Sequence, residues 1–472
     1  MARSPFFAVR YAHLFHMLVR HGKQVMFVGP TGTGKTVYIK KEIDNLERTL
    51  YNNIQTAFSA QTNANQVQDI IDNKLDKRRK GIYGPPFGMK CIVFVDDLNM
   101  PAVEKYGAQP PIELLRQWMD HQGWYDRADN TFRTLVDIQF VTAMGPPGGG
   151  RNAITPRFVR HFNLIAIDEF NDETYQAIYS SIIDWWHRRA KCPDDVRSKG
   201  VSVVKATIEI YNTIRRELLP TPAKSHYTYN MRDLSKVFQG VQMVGVPVDD
   251  SRKMTRLWAH ECLRVFHDRL VSDEDRLWFC GLLRDMVNKH MGVKFDTALQ
   301  LDEGVKPELT DLRRLMYCDF LVPGADVPKY EEVTSMPKLL AVVEEFLTDY
   351  NAQSKTRLNL VLFQYAAEHI CRISRVIKQA YGNALLVGVG GSGRQSLTRI
   401  ASFMADYKLF SIEISKSYGT NEWREDLKSV LKKAGGEGQQ TVFLFADTQL
   451  KDESFLEDIN NILNTGEGAR LD

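Results

Sequence analysis

The residues with chemistry to offer are concentrated in Gly29-Pro30-Thr31-Gly32-Thr33-Gly34-Lys35-Thr36, which fill the pattern G-x-x-x-x-G-K-[ST]. Glycines let a backbone curl around phosphate oxygens and turn its N–H groups inward. Lys35 is then placed to reach the β and γ phosphates of a nucleoside triphosphate, and the Thr36 hydroxyl to ligate Mg²⁺. A second constellation, Asp96-Asp97, ends the apolar run in KCIVFVDDLNM, Lys90 to Met100. Asp96 suits a Mg²⁺ held through its water shell. Asp97 stands where phosphate-loop ATPases usually place a Glu to polarise the attacking water. Aspartate is one methylene shorter, a retreat of about 1.5 Å, and a misplacement of about 1 Å costs on the order of 100-fold in rate. The expectation is a site that binds nucleotide and hydrolyses it slowly.

Both constellations need particular elements to hold them. The apolar start of QVMFVG predicts a buried strand running into the loop, and Val37, Ile39, Ile43 and Leu46 predict a helix from about Gly34 to Arg48 whose N-terminus faces the anion. Ile92 to Val95 predict a buried parallel-type strand that delivers the aspartates to its C-terminal end, where open α/β sheets bind ligands. Around these, Val9 to Val19 predict a helix packed either on an adenine base or simply into the core. Ile54 to Phe58 predict a strand, Ala64 to Lys80 a polar helix whose end carries the solvated cluster Lys77 to Lys80, and Ile112, Leu115, Trp118 and Met119 an amphipathic helix after a Pro- and Gly-rich insertion, Pro101 to Pro111. Val136 to Ala143 and Leu164 to Ile167 complete an α/β sandwich with a five-stranded parallel sheet.

From Asp172 the pattern turns all-helical. Tyr175, Ile178, Tyr179, Ile182, Ile183 and Trp186 share one helix face, capped by Asn171 or Asp172. Asn230 is placed to cap a helix with Arg232 in its first turn. After an irregular linker, Asp302 to Met336, the scheme repeats: a strand Ala384 to Val387, a loop Gly388-Val389-Gly390-Gly391-Ser392-Gly393-Arg394-Gln395-Ser396, a strand Leu409 to Glu413, a helix Trp423 to Ala434, and a strand Thr441 to Ala446 ending at Asp447, a weaker candidate for Mg²⁺. The second copy stops before its remaining strands.

Composition narrows the alternatives. A net charge of only +3 gives no field for nucleic acid or an anionic membrane. There is no C-x-x-C among the six cysteines, no signal peptide and no apolar run of about 20 residues, as expected of a soluble intracellular protein with reduced thiols. His13, His16 and His21 lack the Cys or carboxylate companions of a metal site and read as helix-surface residues. The chain begins abruptly and ends at Asp472 without a clear stop, as a piece of a longer protein would.

Two phosphate-loop modules with a helical lid after the first resemble the tandem AAA+ modules of dynein heavy chains. GPTGTGKT, FVDDLNMP, AMGPPGGGRN and ITPRFVRHF are similar to the third module of the axonemal branch, and LLVGVGGSGRQSLTRIASFMADYKLFSIEISKSYG to its fourth. The similarity runs from about Tyr11 to about Glu467, leaving only MARSPFF and GARLD foreign. It implies an AAA+ large subdomain at 1–168, a helical lid subdomain at 169–300, a linker at 301–355 and a truncated second large subdomain at 356–472. It implies ATP or ADP with Mg²⁺, a ring of further AAA+ modules, and, through a full-length chain, intermediate and light chains and microtubules of cilia and flagella.

By the same resemblance, Arg157 and Arg160 match paired arginines that serve the preceding module, and Arg232 the lid arginine that reaches the γ-phosphate of its own module. Otherwise each is a surface ion-pair partner worth at most about 1 kcal/mol. Three departures stand out. Gly145 replaces the usual Asn at the end of the fourth strand, removing a water-orienting group. Arg394 replaces Lys in the second loop, with Gln395 at the Ser/Thr position unless Ser396 substitutes. Thr448 follows Asp447 where a Glu is expected. The second site is therefore expected to hold nucleotide weakly or structurally. The arginine that would complete the first site belongs beyond Asp472, so the chain alone should be a poor ATPase. The competing readings are a non-catalytic scaffold held together by nucleotide and a remodelling ATPase of the midasin type.

Overall fold

The computed structural model describes residues 6–244, 248–299, 308–354 and 356–465. The extreme ends of MARSPFF and GARLD, and the linker around Pro307, lie outside them. The chain opens with α1 (Phe6–Arg20), β1 (Val25–Val28), α2 (Lys35–Asp44), β2 (Tyr51–Ala57), α3 (Ala64–Asp72), β3 (Asp76–Arg79), β4 (Ile82–Gly84) and β5 (Lys90–Asp96). There follow α4 (Pro110–His121), β6 (Gly123–Tyr125), β7 (Phe132–Leu135), β8 (Ile138–Met144), α5 (Pro156–Val159) and β9 (Asn163–Ala166).

Five of these strands form the expected parallel sheet, in the order β2-β5-β8-β1-β9. Alternate side chains of its central strands feed two cores, as the period of two requires. Met26, Val93, Val95 and Phe140 meet α4 through Ile112, Leu115 and Trp118 on one face, while Val25, Phe27, Ile92, Phe94 and Val141 meet Phe15 of α1 and Ile39 of α2 on the other. Burial on both faces explains why these strands read as continuous apolar runs.

The expected helix from Ala64 to Lys80 is corrected. It stops at Asp72, and Asp76–Arg79 is a strand of a separate four-stranded sheet, β3-β4-β7-β6. Past Leu75 the sequence has no apolar residue to continue a helical stripe, and Gly81, at φ +76°, closes a turn instead. The basic cluster is consequently not a solvated helix end. Arg78 donates to the Pro85 carbonyl at 3.0 and 2.8 Å and pairs with Asp137.

The all-helical region comprises α6 (Asp172–Arg189), α7 (Asp194–Glu217), α8 (Met231–Val241), α9 (Ser251–Cys262), α10 (Asp273–His290) and the short α11 (Phe295–Ala298). The cap of α6 is Asn171, whose side chain accepts from the Thr174 amide at 3.0 Å. Tyr175, Tyr179, Ile183 and Trp186 are buried in a core shared with α7 to α11. Leu312, Leu315, Tyr317 and Tyr330 of the linker join that core, while Met316, Cys318 and Phe320 turn to the next one. A minimal hairpin, β10 (Tyr317–Cys318) with β11 (Glu331–Glu332), separates the two.

The second copy contains α12 (Met336–Gln353), α13 (Gln364–Ile377), α14 (Arg394–Met404), β12 (Lys408–Phe410), α15 (Thr420–Leu431), β13 (Thr441–Phe443) and α16 (Ser454–Thr465). β12 and β13 pair in parallel. The strand expected at Ala384–Val387 does not form, and Leu385 and Val387 are about nine-tenths exposed, at 90% and 86%. The first copy supplies the reason: β1 is bonded only to β8 and β9, and the described residues of the second copy contain no counterpart of either.

The two copies meet through buried charge. Glu261 of α9 is fully buried and accepts from Arg375 of α13, whose Nε lies 3.0 Å from its Oε2, and from the Tyr330 hydroxyl at 2.9 Å. His260 Nε2 lies 3.1 Å from that hydroxyl. No helix among the described residues is long and apolar enough to cross a membrane.

A candidate nucleotide site at the C-terminal edge of the sheet

Gly29 donates its amide to the Met144 carbonyl at 3.2 Å, so the loop leaves β1 pinned beside the end of β8. A Cβ on Gly29 would lie 2.2 Å from the Ile167 carbonyl oxygen, so backbone approach alone demands glycine there. Gly32 and Gly34 take φ of +85° and +75°, which L side chains rarely adopt, and Gly34 hands the chain directly to the first turn of α2.

Lys35 is 9% exposed, yet no carboxylate lies within ion-pair distance of it among the described residues. Its Nζ donates to the carbonyls of Gly29 at 2.7 Å and Pro30 at 2.6 Å, and lies 3.4 Å from Thr33 Oγ1. Burial lowers its pKa, while the charges of Asp96 and Asp97 oppose that and Arg151 adds to it. A buried ammonium satisfied only by neutral oxygens is a cation in want of an anion.

Asp96 ends β5 with its carboxylate hydrogen-bonded to the Thr36 side chain, and burial raises its pKa despite that bond. The Asp97 amide donates to Asp96 Oδ1 at 3.0 Å, and Asp97 itself turns at φ +49°. Lys35, Thr36, Asp96 and Asp97 are thus brought together as expected. The donor set fits a Mg-nucleotide: an uncompensated buried cation for phosphate, and a hydroxyl and a carboxylate, both hard oxygen donors, for the metal.

The lid sits on this loop. Asn230 caps α8, accepting from the Arg232 amide at 2.8 Å, with Asp233 closing the reciprocal bond at 3.0 Å. A Cβ on Gly32 would meet Asn230 Cβ at 3.1 Å and the Met231 amide nitrogen at 3.2 Å. The first turn of α8 therefore abuts the phosphate loop, and Arg232 lies exposed in that turn, without an ion pair among the described residues. Arg157 is likewise exposed. Arg160, by contrast, pairs with Asp120 of α4 at 2.9 Å, and both lie in or just after α5 rather than at the loop.

Sequence reasoning assigned nothing to Arg151 or Asn99. Asn99 is fully buried and donates to the Gly145 carbonyl at 2.8 Å. Arg151 Nη2 stands 3.6 Å from Asp97 Oδ1. The signal available for Arg151 was its position directly after three glycines.

In the second loop, Gly391 and Gly393 keep the positive φ of Gly32 and Gly34, and α14 begins at Arg394 as α2 does at Lys35. This register puts Gln395, not Ser396, at the position of Thr36. The Thr448 amide donates to Asp447 Oδ1 at 3.0 Å, as Asp97 does to Asp96. Asp447 is exposed, however, and among the described residues no hydrogen bond or ion pair joins it to the loop from Gly388 to Ser396.

Comparison with known proteins agrees with this arrangement. Residues 7–170 match the P-loop containing dynein motor region, residues 187–276 the dynein heavy chain ATPase lid domain, and residues 358–471 the P-loop containing dynein motor region D4. The chain is 53% identical to dynein axonemal heavy chain 1 of Rattus norvegicus over 98% of its length and 10% of the relative's. It is 50% identical to dynein axonemal heavy chain 12 of Mus musculus over 90% of its length and 14% of the relative's, and 47% identical to dynein axonemal heavy chain 3 of Homo sapiens over 99% and 11%. It thus spans roughly a tenth of the length of these relatives. With a motor-region match on each phosphate-loop copy and a lid match between them, the chain belongs to the dynein heavy-chain family and carries AAA+ regions of its axonemal branch.

Proposed function

We propose that the first copy binds ATP with Mg²⁺ and hydrolyses it slowly, and that the second holds nucleotide weakly or as a structural plug. The observation that carries this reading is the buried Lys35 ammonium beside Thr36, Asp96 and Asp97. Lys35 and the loop amides from Thr31 to Thr36 bind and orient the phosphates, Thr36 and Asp96 would hold the metal, and Asp97 takes the proton of the attacking water. Bound Mg²⁺ would supply charge neutralisation on the phosphate oxygens. Arg232, in the helix turn that rests on Gly32, links the presence of the γ-phosphate to the angle of the lid. The division at residues 168, 300 and 355 belongs to the same proposal.

In the full-length protein these modules would sit in a ring of AAA+ modules in a ciliary or flagellar axoneme, with Arg157 and Arg160 serving the preceding module, and with intermediate and light chains and microtubules engaged elsewhere in the chain. The names of the relatives support this setting. Their role there is regulatory rather than the main drive of the stroke. The scaffold reading gains from the second loop, where a guanidinium replaces the ammonium and, among the described residues, Asp447 is exposed and makes no hydrogen bond or ion pair to the loop.

Nucleotide content and turnover of the purified chain, measured beside Lys35→Ala, test the proposal. ATP or ADP that co-purifies with the parent and is lost on substitution supports it. Equal occupancy in both moves the nucleotide to the second copy or to neither.

A further inference from the structure

The position vacated by the missing Asn at the end of β8 is filled from another part of the chain. A Cβ built on Gly145 would lie 2.7 Å from Arg151 Nε and 2.8 Å from its Cδ. The Arg151 side chain lies against the backbone of Gly145, in the space a side chain there would need. The loop is built to put it there. Gly148 and Arg151 exchange backbone hydrogen bonds of 2.9 and 3.1 Å around Gly149 and Gly150, both at positive φ, which is the requirement of a type I′ turn. Asn152 anchors the far side, its amide to the Asn99 carbonyl at 2.9 Å and its side chain to the Pro101 carbonyl at 2.8 Å. Among the described residues, Arg151 Nε is buried with no hydrogen-bond partner, and the ion-pair contact of Nη2 is the long one of 3.6 Å to Asp97. The guanidinium therefore stands in the same charge cluster as Lys35, Asp96 and Asp97, one strand end away from the phosphate loop, with donors to spare.

Resting on the ATP-binding reading above, the structure assigns to Arg151 the γ-phosphate contact that Gly145 cannot make: it is a phosphate-contacting residue supplied in cis by the loop after β8, paired with Asp97 until a triphosphate competes for it. A planar guanidinium with unused N–H groups suits phosphate oxygens better than an amide would. The contact distinguishes ATP from ADP, because only the triphosphate carries the group it binds.

The test is equilibrium binding of fluorescent ADP and of a fluorescent non-hydrolysable ATP analogue, each with Mg²⁺, to the full chain and to Arg151→Ala, Arg151→Gln and Arg151→Lys. Loss of a charged hydrogen bond predicts analogue affinity weakened about tenfold to a hundredfold in Arg151→Ala and Arg151→Gln, ADP affinity changed less than about threefold, and partial rescue by Lys. Should Arg151→Ala not fold, Arg151→Gln keeps most of the stem that packs on Gly145 and answers the same question. Equal weakening of both nucleotides, or of neither, overturns the assignment while Lys35→Ala still abolishes binding. A parent chain that binds neither nucleotide overturns the site reading and the Arg151 assignment with it.

Discussion

Gly240 sits inside α8 facing the buried Glu261–Arg375 pair. A methyl group there would lie 1.7 Å from Glu261 Oε2 and 2.6 Å from Arg375 Nη2, so Gly240→Ala must push the carboxylate off its partners. Breaking a buried pair costs about 3 to 5 kcal/mol, against a helix-propensity gain for alanine of about 1 kcal/mol. The net loss is about 2 to 4 kcal/mol. With a denaturant slope of roughly 2 to 3 kcal/mol per molar, the urea midpoint of the transition that reports this interface should fall by about 1 M. Glu261→Gln should lose a similar amount by itself, and the double variant should lose much less than the sum, because the two changes damage one network. Circular dichroism across a urea series reads the midpoints. A Gly240→Ala chain as stable as the parent, or more stable, would refute the reasoning, since it would mean that helix propensity outweighs the charge network at this seam.

Gly29→Ala should cost at least tenfold in nucleotide affinity, because its methyl meets the backbone oxygen of Ile167 and not a side chain that can yield; titration with a fluorescent nucleotide checks this. Asp97→Glu should raise turnover by about 10- to 100-fold if carboxylate reach limits the rate, at a stability cost of about 1 kcal/mol or less, because Asp tolerates its φ of +49° better than Glu does; a phosphate-release assay decides, and an unchanged rate would remove the length argument. Burial and the positive charge of Arg264 hold the pKa of His260 well below its ordinary value. The sign follows: the unfolded chain takes up a proton near pH 6.5 that the folded one refuses, so this stability is complete above that pH and lost as pH falls through the window below it, by up to about 1.4 kcal/mol per unit. Urea midpoints between pH 7.5 and 5.5 should fall accordingly, and less steeply in His260→Gln.

What the sequence made legible was whatever local pattern determines. The phosphate loop, the strand that ends at Asp96, the Asn171 and Asn230 caps and the one-faced helix from Asp172 all rest on spacings of a few residues, and all stand where the spacings put them. The four-stranded sheet did not announce itself, because DKRR carries no hydrophobic alternation, and its hairpin with Ile82–Gly84 is extended into a sheet only by a distant strand, Phe132 to Leu135, which pairs with Ile82–Gly84. The Ala384–Val387 strand failed for the converse reason: its residues have the right propensity but no neighbour to bond. Arg151 was hidden because its meaning depends on the emptiness of Gly145, six residues away along a loop that folds back on itself.

The sheet order also fixes a timetable for synthesis. Val25 finds its backbone partners only at Val141 and Asn163, whereas Tyr51 is matched by Lys90. At about 5 to 20 residues per second, the nascent strand that carries the nucleotide cradle waits roughly ten seconds for either flank, long after its helix has been made. Until then its apolar side chains are open to other company, and a chaperone that covers Val25 to Val28 during that interval would shield the part of the first copy that has the longest wait.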